Sequence, residues 1–272
     1  MDLHALTQLG QATEYPDAYD AQLLQPIPRE LTRATLGLDA DALPFQGVDV
    51  WTHYELSWLS SQGKPVVAIG EISVPAESAN LIESKSLKLY FNGLNFAVFA
   101  TPADFVTQVE ADLSAAAEAP VTLVLLPAHE ALTLADFPGQ CLDDLPLQTS
   151  SYLPDPSLLK IDADTYVSEV WHSHLLRTNC PVTDQPDWGS VLIHYRGPRI
   201  VPESLLAYLV SFRRHSDFHE QCVERIFCDL QQYAGAELLS VYARYTRRGG
   251  LDINPFRSNF EQLTTRWRTA RQ

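Results

Sequence analysis

One order of predicted elements, strands followed by helices and then further strands, occurs twice along this chain of 272 residues. In the first half, two β-rich runs at residues 48–60 and 65–74 flank a turn sequence, which predicts a hairpin. A helix at 102–117 follows, with Thr101 as its N-cap, and residues 121–126 predict a buried strand. This half therefore combines a hairpin with a helix and a further strand.

The second half is predicted to repeat this order. Its predicted strands lie at 166–172, 190–195 and 238–245, and its predicted helices at 201–212 and 216–233. Hairpins with helices gathered between them favour an α+β fold with antiparallel sheets over a parallel, doubly wound one. The division that we predict is an N-terminal arm at 1–45, a first module at 46–145 and a second module at 146–272.

Composition excludes several classes of protein. There are 34 acidic and 19 basic residues, for a net charge of −15, so a broad electrostatic hold on nucleic acid is not expected. No apolar run approaches the roughly 18 residues of a membrane helix, and the N-terminus lacks a signal-peptide pattern. The four cysteines show neither a CxxC pair nor zinc-ligand spacing, so we expect reduced thiols, no metal and a soluble cytosolic protein.

A cysteine lies in a stretch with two prolines at residues 177–189, which predicts an irregular, positioned loop. Pro181 directs the backbone of Cys180 toward an extended conformation. Asp187 follows seven residues later, next to Trp188. A thiol and a carboxyl group on a rigid loop are typical of a nucleophile with a proton carrier. The alternative is a half-buried structural cysteine, because free cysteine is among the most buried residue types.

Two further groups could take part in chemistry. In the helix predicted from residue 216, His219 lies on the apolar face and Glu220 at its edge, both in the first turn. The alternative is a core histidine beside a solvent-exposed carboxylate. Residues 83–91 combine Glu83 with two serines and two lysines, which could bind a phosphate while the carboxylate orients a base. The alternative there is a solvated helix start with local charge pairs.

Taken together, these motifs resemble the QueF family of NADPH-dependent nitrile reductases. The resemblance rests on residues 83–90, the Cys180 loop, His219-Glu220, and the strings at 248–252 and 254–257. Because the 83–90 string and Cys180 lie in different halves, the chain is similar to the long, two-module form. The resemblance implies the tunnelling fold (T-fold), in which ββααββ modules assemble into barrels, and a homodimer.

The resemblance also implies an activity and a set of site residues. The reaction is reduction of the nitrile of 7-cyano-7-deazaguanine to the aminomethyl product in queuosine biosynthesis, with NADPH as cofactor. Cys180 would form a thioimide with the nitrile carbon, and Asp187 would donate the proton. The deazapurine would be bound by Ile82, Glu83, Ser84, His219 and Glu220. No GxGxxG element is present, so a Rossmann site for NADPH is not expected. The resemblance instead implies that NADPH is bound by Ser84, Lys85, Arg248 and Gly249.

Two other functions remain open at this point. A tunnelling-fold hydrolase acting on a pterin or purine would need zinc, and His172, His174 and Cys180 are possible ligands. Two histidines two residues apart on a strand share a face, where a packing role is equally compatible with the pattern. The second alternative is a non-catalytic protein that binds deazapurines and retains Cys180 without using it.

Overall fold

The computed structural model describes residues 15–129, 133–147 and 151–272. These residues form two compact units, and neither unit is continuous in the sequence. Unit 1 contains residues 15–40, 49–129 and 247–253, and unit 2 contains residues 41–48, 133–147, 151–246 and 254–272. In the described ranges, no helix has the length and apolar character needed to cross a membrane. The division at 1–45, 46–145 and 146–272 stays a prediction.

The elements up to residue 129 alternate short and long strands with three helices. In chain order they are β1 (Pro26–Pro28), α1 (Arg29–Arg33), β2 (Gln46–Ser60), β3 (Pro65–Pro75), β4 (Asn80–Ile82), α2 (Ser84–Leu94), β5 (Val98–Phe99), α3 (Pro102–Ala117) and β6 (Thr122–Pro127). The predicted hairpin is confirmed as β2 and β3. The helix at 102–117 is also confirmed, with Thr101 and Asp104 forming a capping box.

The sheet of unit 1 has the strand order β6-β3-β2, with β3 and β6 antiparallel. Only one face of β6 is covered by the core, so Leu123 is 4% exposed and its neighbour Val124 is 51% exposed. The prediction of a buried strand at 121–126 is therefore wrong about burial, because an all-apolar run does not show whether a strand has one covered face or two. The short strands β1 and β4 form a separate antiparallel pair.

Helices α2 and α3 pack on this sheet through aromatic and aliphatic side chains. The ring of Phe105 in α3 stacks on Trp58 of β2, with centroids 4.2 Å apart. On α2, the buried residues recur at helical spacing and are Leu87, Tyr90, Phe91 and Leu94. Burial of each such side chain contributes about 1.5–3 kcal/mol. This packing fixes the axis of α2 and therefore the position of its first turn, which carries Glu83 and Lys85.

From residue 133 onward, the described part of the chain forms two α-helices and six strands. In chain order they are β7 (Gln140–Cys141), β8 (Ile161–Ser173), β9 (Arg177–Asn179), β10 (Pro186–Ile200), α4 (Pro202–Ser211), α5 (His219–Ala234), β11 (Leu238–Tyr245) and β12 (Leu251–Ser258). The antiparallel row β11-β10-β8 dominates unit 2, with β7 added parallel to β8 at its edge. Antiparallel sheets with separate helices confirm the α+β class.

Two predictions in this region need correction. The stretch at 177–189 is not an irregular loop throughout, since β9 pairs with the start of β10 and leaves a turn of only six residues. Pro186 is compatible with this because proline is accepted as the first residue of a strand. The second correction concerns α5, which begins at His219 rather than at residue 216.

The burial that helical periodicity predicts for α5 is confirmed on its apolar face and is wrong for two acidic residues outside that face. Cys222, Ile226 and Leu230 are fully buried, as their spacing predicts. The polar residues Glu220 and Glu224 are buried as well, at 3% and 2% exposure, whereas the pattern places them at the edge and on the polar side. Burial of Glu224 is compensated by Arg257, whose Nε and Nη2 donate to its Oε1 at 3.0 and 2.9 Å.

Candidate active site

The β9–β10 hairpin positions both Cys180 and Asp187. Asp187 on β10 is the register partner of Thr178 on β9. The N–H of Cys180 then donates to the carbonyl of Gln185 at 2.9 Å, which continues the pairing beyond the end of β9. Because side chains alternate along a strand and cross-strand partners share a face, Thr178, Cys180 and Asp187 are placed on one face of the hairpin. Cys180 and Asp187, which are seven residues apart in the sequence, are thus brought close together across a tight turn.

The hairpin is fastened to the segment that precedes α5. The N–H of Asn179 donates to the carbonyl of His215 at 2.7 Å, and the N–H of Asp217 donates to the carbonyl of Asn179 at 3.1 Å. These two bonds bring the first turn of α5 beside the thiol loop. Cys180 and Asp187 are each only 3% exposed, whereas residues 183–186 of the turn between them are exposed.

His219 contacts Asp187 directly. Its Nε2 lies 3.2 Å from Oδ2 of Asp187, and its ring stacks on Tyr245 with centroids 3.8 Å apart and planes 7° from parallel. The Nδ1 atom of His219 is buried and has no hydrogen-bond partner among the described residues. The stacking fixes the plane of the imidazole, and the carboxylate fixes its rotation. The alternative of a merely packed core histidine does not account for an unpaired polar atom and a buried carboxylate in contact.

Other titratable groups around His219 are held neutral. Burial raises the pKa of the Tyr245 phenol well above its usual value. Burial also raises the pKa of the Cys222 thiol, one turn along α5, well above its usual value. Cys222 therefore stays a thiol and does not compete with Cys180 as the nucleophile. Glu220, in the first turn of α5, is buried where the N-terminal N–H groups of a helix favour negative charge.

A second group of predicted site residues lies in unit 1. Glu83 is 1% exposed and caps α2, since its Oε1 accepts from the N–H of Lys85 at 2.8 Å and its Oε2 from the N–H of Ser86 at 2.7 Å. The alternative of a solvated helix start is therefore wrong. Burial raises the pKa of Glu83, against the effect of these two bonds. Ile82 ends β4 immediately before it, and Ser84 is the first residue of α2.

A cavity of about 230 Å³ in unit 1 is lined by two of the residues predicted to bind NADPH, Lys85 and Gly249, and by Lys88. The other two predicted residues, Ser84 and Arg248, precede them in the chain and are not among the described lining residues. Gly249 has a φ of 58°, where glycine is favoured, and a Cβ at this position would lie 3.5 Å from Cδ of Lys88. The backbone turn and the lysine stem are thus close neighbours.

The zinc ligands of the hydrolase alternative are not brought together as that alternative requires. In the described part of the chain, one group of three or more metal-type ligand residues includes His172 and His174, and its cysteine is Cys141, not Cys180. Sequence reasoning did not assign Cys141 or Tyr245 to any site, whereas Lys88 is one of the two lysines of the 83–91 string that were expected to bind a phosphate. Its spacing of three from Lys85 places both on one helix face. Cys141 and Tyr245 are distant in sequence from the residues that they contact.

Two family models match this chain. The model described as "Nitrile reductase, 7-cyano-7-deazaguanine-reductase N-term" matches residues 15–125, and the model described as "QueF-like protein" matches residues 186–263. The matched ranges include Glu83, Asp187 and His219, whereas Cys180 lies between them.

A buried thiol, carboxyl and imidazole on an α+β scaffold, together with these matches, define a nitrile reductase, which is an oxidoreductase. The chain belongs to the QueF family, in its long form with two modules. The resemblance inferred from the motifs is thereby confirmed, and membership of this family indicates nitrile reductase activity in queuosine biosynthesis.

Proposed function

We propose that this protein reduces the nitrile of 7-cyano-7-deazaguanine to the aminomethyl group of 7-aminomethyl-7-deazaguanine, with NADPH as reductant and a thioimide on Cys180 as intermediate. The observation that carries the proposal is the hairpin that buries Cys180 and Asp187 on one face, with His219 3.2 Å from Asp187. Family membership supplies the substrate class, and this geometry supplies residues for the chemistry.

The first step joins the thiol to the nitrile. The sulfur of Cys180 forms a bond to the nitrile carbon, one π bond of the C≡N group breaks, and the thiol proton ends on the nitrogen. Asp187 accepts that proton and passes it on, because it is the buried carboxylate that the hairpin places on the face of Cys180. His219 donates to ionised Asp187 through Nε2, which stabilises the carboxylate before it takes the proton. No electrons are exchanged in this step.

Conversion of the thioimide to an amine and a free thiol requires four electrons and two protons. NADPH would supply the electrons as two hydrides when bound, and solvent would be the final source of the protons. Between the two additions the C–S bond breaks and Cys180 returns as the leaving group. The residues must exclude water during this sequence, because a thioimide or imine exposed to water would hydrolyse. The burial of Cys180 and Asp187 fits that requirement.

Recognition of the deazapurine is assigned to Ile82, Glu83, Ser84, His219 and Glu220. A carboxylate can accept two parallel hydrogen bonds from the ring N–H and exocyclic NH₂ of a guanine-like edge. Glu220 is buried at a helix N-terminus, where the N–H groups and the helix dipole favour negative charge. Glu83 already accepts two backbone bonds, and each of its oxygens retains one further lone pair for a ligand.

The residues around the unit 1 cavity fit the phosphate-bearing part of NADPH. Lys85 and Lys88 supply two cations on one helix face, and the Gly249 turn allows a ligand to approach the backbone closely. The N–H groups of Lys85 and Ser86 are occupied by Glu83, so lysine side chains rather than the start of α2 would hold phosphate. Ser84 and Arg248 are proposed to join them. The tunnelling fold with tandem modules, a homodimer and a cytosolic location complete the proposal.

Intact-protein mass spectrometry with the nitrile, in the absence of NADPH, tests the proposal. The wild type should gain the mass of one substrate, Cys180→Ala should not, and the control Cys228→Ala should behave as the wild type. Full reaction mixtures should oxidise two NADPH per amine formed. A protein that binds the nitrile without an adduct would be the non-catalytic binder, and turnover without NADPH would indicate the hydrolase.

A further inference from the structure

Three residues with metal-binding side chains meet at the edge of the unit 2 sheet, and none of them is assigned to nitrile reduction. Cys141, His172 and His174 each offer one ligand atom, and these atoms lie within 4.8 Å of one another. Cys141 on β7 is the parallel register partner of His172 on β8, and His174 follows two residues later, on the same side of the chain. The pairing of the two strands therefore creates the cluster.

An outer partner holds Nδ1 of each imidazole, so Nε2 is the nitrogen available to a cation. In His174 the cation would replace the proton that Nε2 shares with the Asp136 carboxylate. Nδ1 of His172 lies 3.0 Å from the carbonyl oxygen of Pro138. A carbonyl oxygen only accepts, so in the neutral ring the proton is on Nδ1 and Nε2 carries the lone pair. Nδ1 of His174 is 2.8 Å from Oγ of Ser190. Metal-binding histidines in proteins have the same arrangement, with the second ring nitrogen held by an outer partner.

A carboxylate is present where a fourth ligand is needed. Oδ1 of Asp136 lies 3.1 Å from Nε2 of His174 and accepts from the N–H of Phe137 at 2.8 Å, and the Asp136 side chain is 66% exposed. Asp143 lies behind the cluster, accepting from Oγ of Ser173 at 2.7 Å and from the N–H of His174. One thiol, two imidazoles and a carboxylate are a donor set that suits zinc and cobalt rather than magnesium or calcium.

The backbone of this segment is shaped for the approach of β7 to β8. Gly139 has a φ of 84°, and a Cβ there would lie 2.2 Å from the carbonyl oxygen of Val170, so no other residue fits. The N–H of Leu142 donates to the carbonyl of His172 at 2.9 Å. The two strands that carry the ligand residues are thus held together before any cation binds. Zinc would draw the ligand atoms to about 3.5 Å from one another, a shift of about one ångström.

We propose that Cys141, His172 and His174, with Asp136 as fourth ligand, bind one divalent cation of the zinc type that fastens β7 to β8. The site is structural: its ligands are not those assigned to nitrile reduction, and its closing carboxylate leaves no open position for substrate. When the cation binds, Cys141 loses its proton, and the resulting thiolate and the Asp136 carboxylate supply two negative charges to the cation.

Cobalt titration of the purified, chelator-treated protein tests this site, because a cobalt–thiolate bond gives a near-ultraviolet charge-transfer band. The wild type should develop that band together with tetrahedral visible bands, with saturation at one equivalent. Cys141→Ser should lose the charge-transfer band. The matched control Cys228→Ser, which changes a half-buried cysteine of α5, should keep it.

His174→Gln serves as the second variant, since His174 is only partly buried and its replacement leaves the core intact. It should weaken cobalt binding by more than about tenfold, because even outer partners of a metal ligand have effects of that size. Zinc should raise the melting temperature of the wild type and leave that of His174→Gln unchanged. Persistence of the charge-transfer band in Cys141→Ser, or the absence of saturable cobalt binding in the wild type, would overturn the site. Neither result bears on nitrile reduction, which the adduct on Cys180 tests separately.

Discussion

Asp187 Oδ2 and His219 Nε2 lie 3.2 Å apart, and both side chains are nine-tenths or more buried. Asp187 comes from the start of β10 and His219 from the first residue of α5, so the contact joins a strand end to a helix start. A buried carboxylate that contacts a histidine can exchange a proton with it at little cost. This contact, together with the place of Asp187 on the hairpin of Cys180, is the reason for which we propose Asp187 as the proton carrier.

Replacement of Asp187 by asparagine should abolish proton transfer by this side chain, while the amide keeps the shape of the carboxyl group. We expect Asp187→Asn to bind the nitrile with an affinity close to that of the wild type and to lower kcat by about 100-fold or more. Stopped-flow measurement of NADPH oxidation gives the rate, and the rate of adduct formation shows whether the thioimide step is the one affected.

Asp184→Asn is the matched control, since Asp184 lies in the same turn and has a φ of 56°, which asparagine also accepts. Its kcat should be within about twofold of the wild type, as expected for a surface substitution. Equal losses in the two variants would assign the effect to the loop conformation and not to proton transfer.

Glu220→Gln should weaken binding of the nitrile more than binding of NADPH. The amide keeps the shape of the carboxylate and presents one acceptor and one donor, so one of two parallel bonds to a guanine-like edge is replaced by a donor–donor contact. The expected rise in the Kd of the nitrile is about tenfold to hundredfold. Calorimetric titration with each ligand separately measures both, and an equal change in the two constants would contradict base recognition by Glu220.

Glu83→Gln separates the helix cap from substrate recognition. Only one oxygen of the amide can accept, so either the N–H of Lys85 or that of Ser86 loses its partner. We expect the free energy of unfolding to fall by about 1 kcal/mol, measured by urea denaturation. Glu77→Gln, at an exposed position just before β4, should not change it. A nitrile affinity that is unchanged in Glu83→Gln would remove Glu83 from the substrate site and leave it as a cap.

Local rules in the sequence predict the elements that are decided by neighbours along the chain. The capping box of Thr101 and Asp104 fixes the start of α3, and the 238–245 run is found unchanged as β11. The residues of the candidate site were proposed because they belong to strings that resemble those of the QueF family. Contacts between distant segments could not be predicted. Glu224 is buried with a hydrogen bond from Arg257, which lies 33 residues away in the sequence. Cys141 is brought next to His172 by the pairing of two strands, β7 and β8. Hydrophobic periodicity contains no information about such partners.

Acid should destabilise unit 1 through His53. Burial, with a smaller effect of the Lys88 charge, lowers the pKa of this imidazole from 6.5 to about 4. Between these values the unfolded chain binds a proton that the folded chain does not, so the stability that neutral His53 contributes is complete above about pH 6.5 and is lost as the pH falls toward 4. A shift of this size corresponds to about 3 kcal/mol.

His53→Asn tests this, because the asparagine oxygen can accept the N–H of Glu55 that Nδ1 of His53 now accepts at 3.1 Å. The variant should be less stable than the wild type at pH 7.5, since it leaves space beside Phe91, but its free energy of unfolding should fall less between pH 6.5 and 4. His129→Asn, at an exposed position, should retain the pH dependence of the wild type. Urea denaturation at half-unit pH intervals measures the three slopes. A buried neutral histidine makes the free energy of unfolding fall more steeply between pH 6.5 and 4. If this free energy depends on pH in the same way in His53→Asn and in the wild type, groups other than His53 cause the acid sensitivity.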